Sequence, residues 1–169
     1  SDSRGNPGMS GADSWRRAWR ALAALCVDPS GLKGLCLRAR PSPARQVLED
    51  QLGYVPLPLR RIHPGISDTQ LFGGVNVAAS LSEGKMVRDA GLSDTQATFV
   101  LTMAERATSG LAARLAMILD AGSDHALILP DEGAEPDEAA PDAPTQRLAF
   151  HVALDAVPWS DATPLQPPP

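Results

Sequence analysis

From Gly65 to Leu129 the chain contains no proline, although 16 prolines occur among its 169 residues. Proline lacks an amide hydrogen and fixes φ, so helix interiors and central strands avoid it. Regular elements are therefore expected inside that window and just before it. Within the window, Thr98 to Met103 reads as a strand, Thr-Phe-Val-Leu-Thr-Met. Gly110 to Leu119 reads as a helix with Leu111, Leu115, Ile118 and Leu119 on one face. Val75 to Leu81 matches neither period cleanly.

Upstream, Asp13 or Ser14 is placed to cap a helix whose Trp15, Trp19, Leu22 and Leu25 share one face, with Arg16, Arg17 and Arg20 opposite. Ser30 to Gly34 reads as a turn and Leu35-Cys36-Leu37 as a short buried strand. Pro43 to Leu52 fits a helix with proline in its first turn. Leu57 to Ile62 fits a strand that its proline confines to a sheet edge or end. Ala126 to Leu129 and Leu148 to Leu154 complete the strands. Strands alternating with helices imply an α/β fold, a mainly parallel sheet flanked by helices.

The ends read differently. The first eight residues, Ser-Asp-Ser-Arg-Gly-Asn-Pro-Gly, look like an artificial leader ahead of a native start at Met9, which leaves 9–158 as the α/β module. Residues 159–169 end in three prolines and read as the start of a proline-rich linker. Pro130 to Thr145 holds six carboxylates, four prolines and no base, the composition of a mobile surface loop. Net charge is −5, split into +5 over residues 1–61 and −10 over 62–169. An acidic chain with 4% aromatics is a poor nucleic-acid binder. No apolar run is long enough for a membrane span. Cys26 and Cys36, the only two cysteines, form no disulfide framework or zinc site and read as small core residues of a cytoplasmic protein.

In parallel α/β folds, ligands sit at the carboxyl ends of the strands. After the strand ending at Arg38, the eight residues in the place of a phosphate loop are Ala39, Arg40, Pro41, Ser42, Pro43, Ala44, Arg45 and Gln46. A working loop reads G-x-x-x-x-G-K-[ST] there. Both glycine positions are alanine, the lysine position is Arg45, and the magnesium-binding hydroxyl position is Gln46. Pro41 and Pro43 remove two amides that would otherwise face phosphate oxygens. An ATPase also needs an acidic pair closing an apolar strand. Here that position is Met103-Ala104, with Glu105 one residue beyond and a register slip away.

At these residues the chain resembles a known family, the D subunits of magnesium chelatase in their amino-terminal AAA+ module. The resemblance rests on Gly34 to Arg40, on Leu57 to Gly65, on Leu71-Phe72-Gly73-Gly74-Val75-Asn76-Val77 followed by Leu81, Gly84 and Gly91-Leu92, and on Val100 to Arg106. It implies an AAA+ core like that of P-loop proteins, with a degenerate nucleotide site and without the helical lid subdomain or the carboxy-terminal domain. It further implies no cofactor held by this module and a ring with the magnesium chelatase I subunit, which hydrolyses ATP. The H subunit would hold the porphyrin, so that Mg²⁺ enters protoporphyrin IX in bacteriochlorophyll biosynthesis. Rings of this family supply an arginine to the neighbour's γ-phosphate. The arginine of the corresponding motif falls at Ala149, leaving Arg106, Arg114 and Arg147 as candidates.

Other readings stand beside this one. An active small NTPase or kinase would use Arg45 on phosphate and Glu105 on the metal. A receiver-like domain lacks the required acidic cluster. His63 and His151 have no partner at ligand spacing, so no metal site is expected. His125 is expected at the surface. Ser42 and Ser109 lack a nucleophile elbow. Arg16, Arg17 and Arg20 form a solvated face or a docking face, and Gly73-Gly74 marks either a turn or a close backbone approach.

Overall fold

A computed structural model describes residues 11–121, 125–131 and 142–154. The chain opens with helix α1 (Gly11–Val27) and a short α2 (Pro29–Leu32). Strand β1 (Gly34–Arg38) leads into helix α3 (Pro43–Gln51), and strand β2 (Leu59–Ile62) follows. Helix α4 (Asp68–Phe72), strand β3 (Gly73–Val75), helix α5 (Val77–Glu83) and strand β4 (Arg88–Ala90) come next. Strand β5 (Thr98–Leu101), helix α6 (Ser109–Asp120), strand β6 (Ala126–Asp131), helix α7 (Asp142–Thr145) and strand β7 (Phe150–Ala153) complete it.

Five strands form one sheet in the order β2-β5-β6-β1-β7, every neighbouring pair parallel. Alternation along the strands separates two cores. Leu35, Leu37, Val100, Ile128 and Val152 face α1 and α3, against Trp15, Leu22, Leu25 and Leu48. Cys36, Phe99, Leu101, Leu127 and Leu129 face the other way, against Leu71, Leu111, Leu115 and Leu119. Covering both faces is what makes the inner strands β1, β5 and β6 largely apolar, as in other parallel sheets.

The expected α/β class, the edge position of the proline-preceded β2, and the helices after β1 and β5 all appear. Several details differ. Helix α1 begins at Gly11, so Asp13 and Ser14 lie in its first turn instead of capping it. Strand β5 stops at Leu101, because Met103 adopts a left-handed conformation (φ 51°). The segment read as a loop from Pro130 is regular at both described ends: Pro130 and Asp131 finish β6, and Asp142–Thr145 is a helical turn. Residues 132–141, like the leader and the proline-rich end, lie outside the described residues.

Pro130 sits in a strand flanked on both sides, but at the end of its ladder to β5. The Ala126 amide donates toward β5's side (Ala97 O, 3.1 Å) and the Leu127 amide toward β1's side (Lys33 O, 2.8 Å). Alternation then turns position 130 toward Leu101, the last residue of β5, so the proline ends that ladder instead of interrupting it. The β5–β6 pairing runs no further than Val100 opposite Ile128. Gly34 is required for a different reason. At φ +140°, a Cβ there would lie 1.8 Å from the Leu127 carbonyl oxygen.

Between β2 and β5 the chain makes a small separate sheet, β3 antiparallel to β4, with α5 between them. Gly73 has φ +78°, and a Cβ there would come within 2.3 Å of the Asp89 carbonyl oxygen. Close backbone approach therefore explains the Gly73 requirement.

Candidate functional site

Because the five strands are parallel, their carboxyl ends share one side of the sheet. There β1 ends at Arg38, with β6 and β7 on either side. The Ala39 amide donates to the Asp131 carbonyl (3.0 Å) and the Leu154 amide to the Arg38 carbonyl (3.0 Å). Ala39 is buried and Arg40 exposed. The eight residues that follow, Ala39 to Gln46, make a turn and the first turn of α3, and are the stretch that stands in the place of a phosphate loop in the sequence.

The hydrogen bonds of this turn are spent inside the chain. Ser42 is the N-cap of α3, and its Oγ accepts the Arg45 amide at 3.1 Å. The Ser42 carbonyl accepts the Gln46 amide at 3.0 Å. Pro41 and Pro43 have no amide to give. The helix start is thus capped as an ordinary helix is, by its own side chain rather than by an anion. Arg45 points back into the protein. Its Nε lies 2.9 Å from Glu49 Oε1 and its Nη1 donates to the Ala39 carbonyl at 3.2 Å. Its side chain is only 14% exposed, so moving it onto a ligand would strand Glu49 without that partner. Gln46 turns outward to Asp50 (2.8 Å).

At the end of β5, Thr102 Oγ1 donates to the Ile62 carbonyl (3.1 Å), tying the strand end to β2. Met103 is 36% exposed and Ala104 fully buried. Ala104–Arg106 is a 3-10 turn, so strand alternation does not carry to Glu105 and the expected register slip does not govern it. One carboxylate oxygen of Glu105 is buried without a hydrogen bond. Arg45 is held by Ala39 and Glu49, not by Glu105.

The arginine candidates separate. Arg114 Nε lies 2.8 Å from Asp68 Oδ1, joining α6 to α4. Arg147 Nε lies 2.8 Å from Asp120 Oδ1 and its guanidinium also donates to the Ala143 carbonyl. The Arg147 hydrogen bond holds the Asp120 carboxyl below the usual carboxylate range. Arg106 is exposed in the turn after β5.

His125, expected at the surface, is 2% exposed. Its Nδ1 accepts the Ala97 amide (3.3 Å), its Nε2 pairs with the Ser93 carbonyl (2.9 Å), and its ring packs on Phe99. It is a splint between the loop before β5 and the start of β6. Its partners are two backbone groups, for which a sequence gives no signal. Cys36 is also buried, and burial, with Asp131 nearby, pushes its thiol up to about 11. Among the described residues no group of three potential ligands could hold a metal ion, and no helix is long and apolar enough to cross a membrane.

Sequence comparison places relatives beside this geometry. The chain is 52% identical over 147 residues to the magnesium-chelatase 60 kDa subunit of Cereibacter sphaeroides. It is 48% identical over 149 residues to the subunit of the same name from Rhodobacter capsulatus. Each match covers 87% of this chain but 26% of the relative, so the chain spans about a quarter of their length. No family model matches. Among solved structures, an ATPase candidate from Cytophaga hutchinsonii superposes with a TM-score of 0.57 at 13% identity, covering 89% of this chain and 51% of that one. That likeness concerns the fold alone, a mainly parallel sheet flanked by helices.

Proposed function

The chain belongs with the magnesium-chelatase D subunits, and on that premise we propose that it is a non-hydrolysing AAA+ module that acts by assembly. In this reading residues 9–158 scaffold and activate the ATP-hydrolysing I subunit in a ring. The H subunit presents the porphyrin, and the complex inserts Mg²⁺ into protoporphyrin IX in the cytoplasm, serving bacteriochlorophyll synthesis. Arg106 is the arginine best placed to reach a neighbour, since Arg114 and Arg147 are engaged within their own chain.

The observation that carries the reading is the Arg45 amide. In a working phosphate loop this stretch of backbone faces phosphate oxygens; here the amide is bonded to Ser42 Oγ. The flanking prolines have nothing to donate, and the nearest cation is committed to Glu49 and Ala39. The same bonds weigh against the alternative NTPase, which needs Arg45 free for phosphate and Glu105 on the metal.

Co-elution tests the assembly. Mixed with the I subunit, the chain is expected to leave a sizing column in a larger complex when ATP is present, and in less of it when ATP is absent. Elution at the positions of the separate proteins under both conditions would contradict the proposal.

A further inference from the structure

Outside the strand-end site, a row of three arginines lies on α1. Arg16, Arg17 and Arg20 are exposed and line an open groove of about 620 Å³ together with Asp13, Ala21 and Phe150. The opposite face of α1 fixes them there. Trp15, Ala18, Leu22 and Leu25 are buried against the sheet, so the arginine row is held rigidly outward beside β7, the last strand of the sheet.

One feature makes this row unfavourable unless something anionic joins it. Arg16 and Arg20 are four residues apart and Arg17 and Arg20 three, spacings that bring like charges side by side on a helix. Asp13 offsets only part of this. It pairs with Arg16 at 3.4 Å, with both side chains more than half exposed, a geometry worth little in water. Among the described residues Arg17 and Arg20 have no ion-pair partner. The clustering occurs in a chain whose net charge is −5.

We propose that the α1–β7 groove docks an extended acidic segment of a partner protein, with carboxylates at alternate positions. The spacing fits. Arg16 and Arg20 are about 6 Å apart along the helix axis, from ~1.5 Å per residue. Alternate side chains of an extended chain face one side about 6.6–6.8 Å apart, from ~3.3–3.4 Å per residue. Two such carboxylates meet two guanidinia in fork geometry, a pairing that suits arginine better than lysine. Phe150 and Ala21 give the segment an apolar floor. A nucleic-acid strand fits less well. Phe150 is the one aromatic ring in the groove lining, and the acidic remainder of the chain repels a long polyanion.

The test is fluorescence anisotropy on the whole chain with a fluorescein-labelled peptide of alternating Glu and Ser. The peptide is expected to bind at low ionic strength and to weaken as salt is added. Arg16→Glu/Arg20→Glu is expected to weaken binding by about tenfold or more. Arg60→Glu/Arg61→Glu, which makes the same charge change on exposed residues of β2, is expected to change it by less than about twofold. Arg16→Gln/Arg20→Gln, which only neutralises the pair, is expected to give an intermediate loss, and circular dichroism checks that α1 persists. Three results would overturn the proposal. The first is no binding by the wild-type chain, and the second is equal loss in the two double Glu variants. The third is tighter binding of a single-stranded oligothymidylate of matched charge.

Discussion

The turn after β1 and the excursion from Gly73 to Gly91 lie in one small domain and are built on opposite principles. In the turn, polar groups are satisfied internally and the apolar ones are buried: Ala39, Ala44 and Leu48 are each 2% exposed or less. In the excursion α5 has no buried residue, and Val75, Val77, Leu81 and Met86 are 48–80% exposed. Local bonds hold it instead. Asn76 caps α5 through the Ala79 amide, Ser80 Oγ bonds both the Val87 amide and its carbonyl, and Gly84 closes the helix in a left-handed conformation. The difference teaches where this chain bonds its own polar groups within the core and where it relies on local bonds alone. Its strand-end turn is part of the core, whereas the excursion is drawn together at its two ends by the close backbone approach of Gly73 and Gly91.

The largest effect that would sharpen this contrast is at Gly34. Placing a Cβ 1.8 Å from the Leu127 carbonyl forces β1 away from β6, so Gly34→Ala is expected to cost more than about 4 kcal/mol and to leave little folded protein by circular dichroism. Next comes a paired truncation. Leu48→Ala, at a fully buried position, is expected to lose about 2–5 kcal/mol in urea unfolding. Leu81→Ala, 80% exposed, is expected to stay within about 0.5 kcal/mol. Equal losses would break the comparison.

A smaller effect concerns Asp120 and Arg147. Asp120 has its pKa lowered in the folded state by its hydrogen bond to Arg147. Stability from this pair is therefore present above the unfolded carboxylate pKa and fades as pH falls through the folded one. Arg147→Ala is expected to destabilise slightly at neutral pH and less at strongly acidic pH, where only its bond to the Ala143 carbonyl is still lost. Thermal melts at the two pH values check this, and a constant difference would refute it.

Much of the fold was legible because both faces of the sheet are covered. That makes β1, β5 and β6 short apolar runs, and it makes α6 strongly periodic. The excursion was not legible for the converse reason. Gly-Gly-Val and Arg-Asp-Ala carry no pattern of burial, and Val77 to Glu83 has no apolar face to set a helical period. Pro130 misled as a breaker because its missing amide falls at the last residue of β5, where it ends the ladder without interrupting it. At the candidate site, the substitutions of the phosphate loop were readable residue by residue. The folding of Arg45 onto Glu49 and Ala39 was not, since the side chain could equally have faced outward.

Titration calorimetry with Mg-ATP on the isolated chain tests the central claim most directly. With the helix start capped by Ser42 and the cation turned inward, no heat of binding is expected at micromolar to sub-millimolar nucleotide, and no phosphate release. Micromolar binding that is lost in Arg45→Ala, with turnover in solution, would contradict the account.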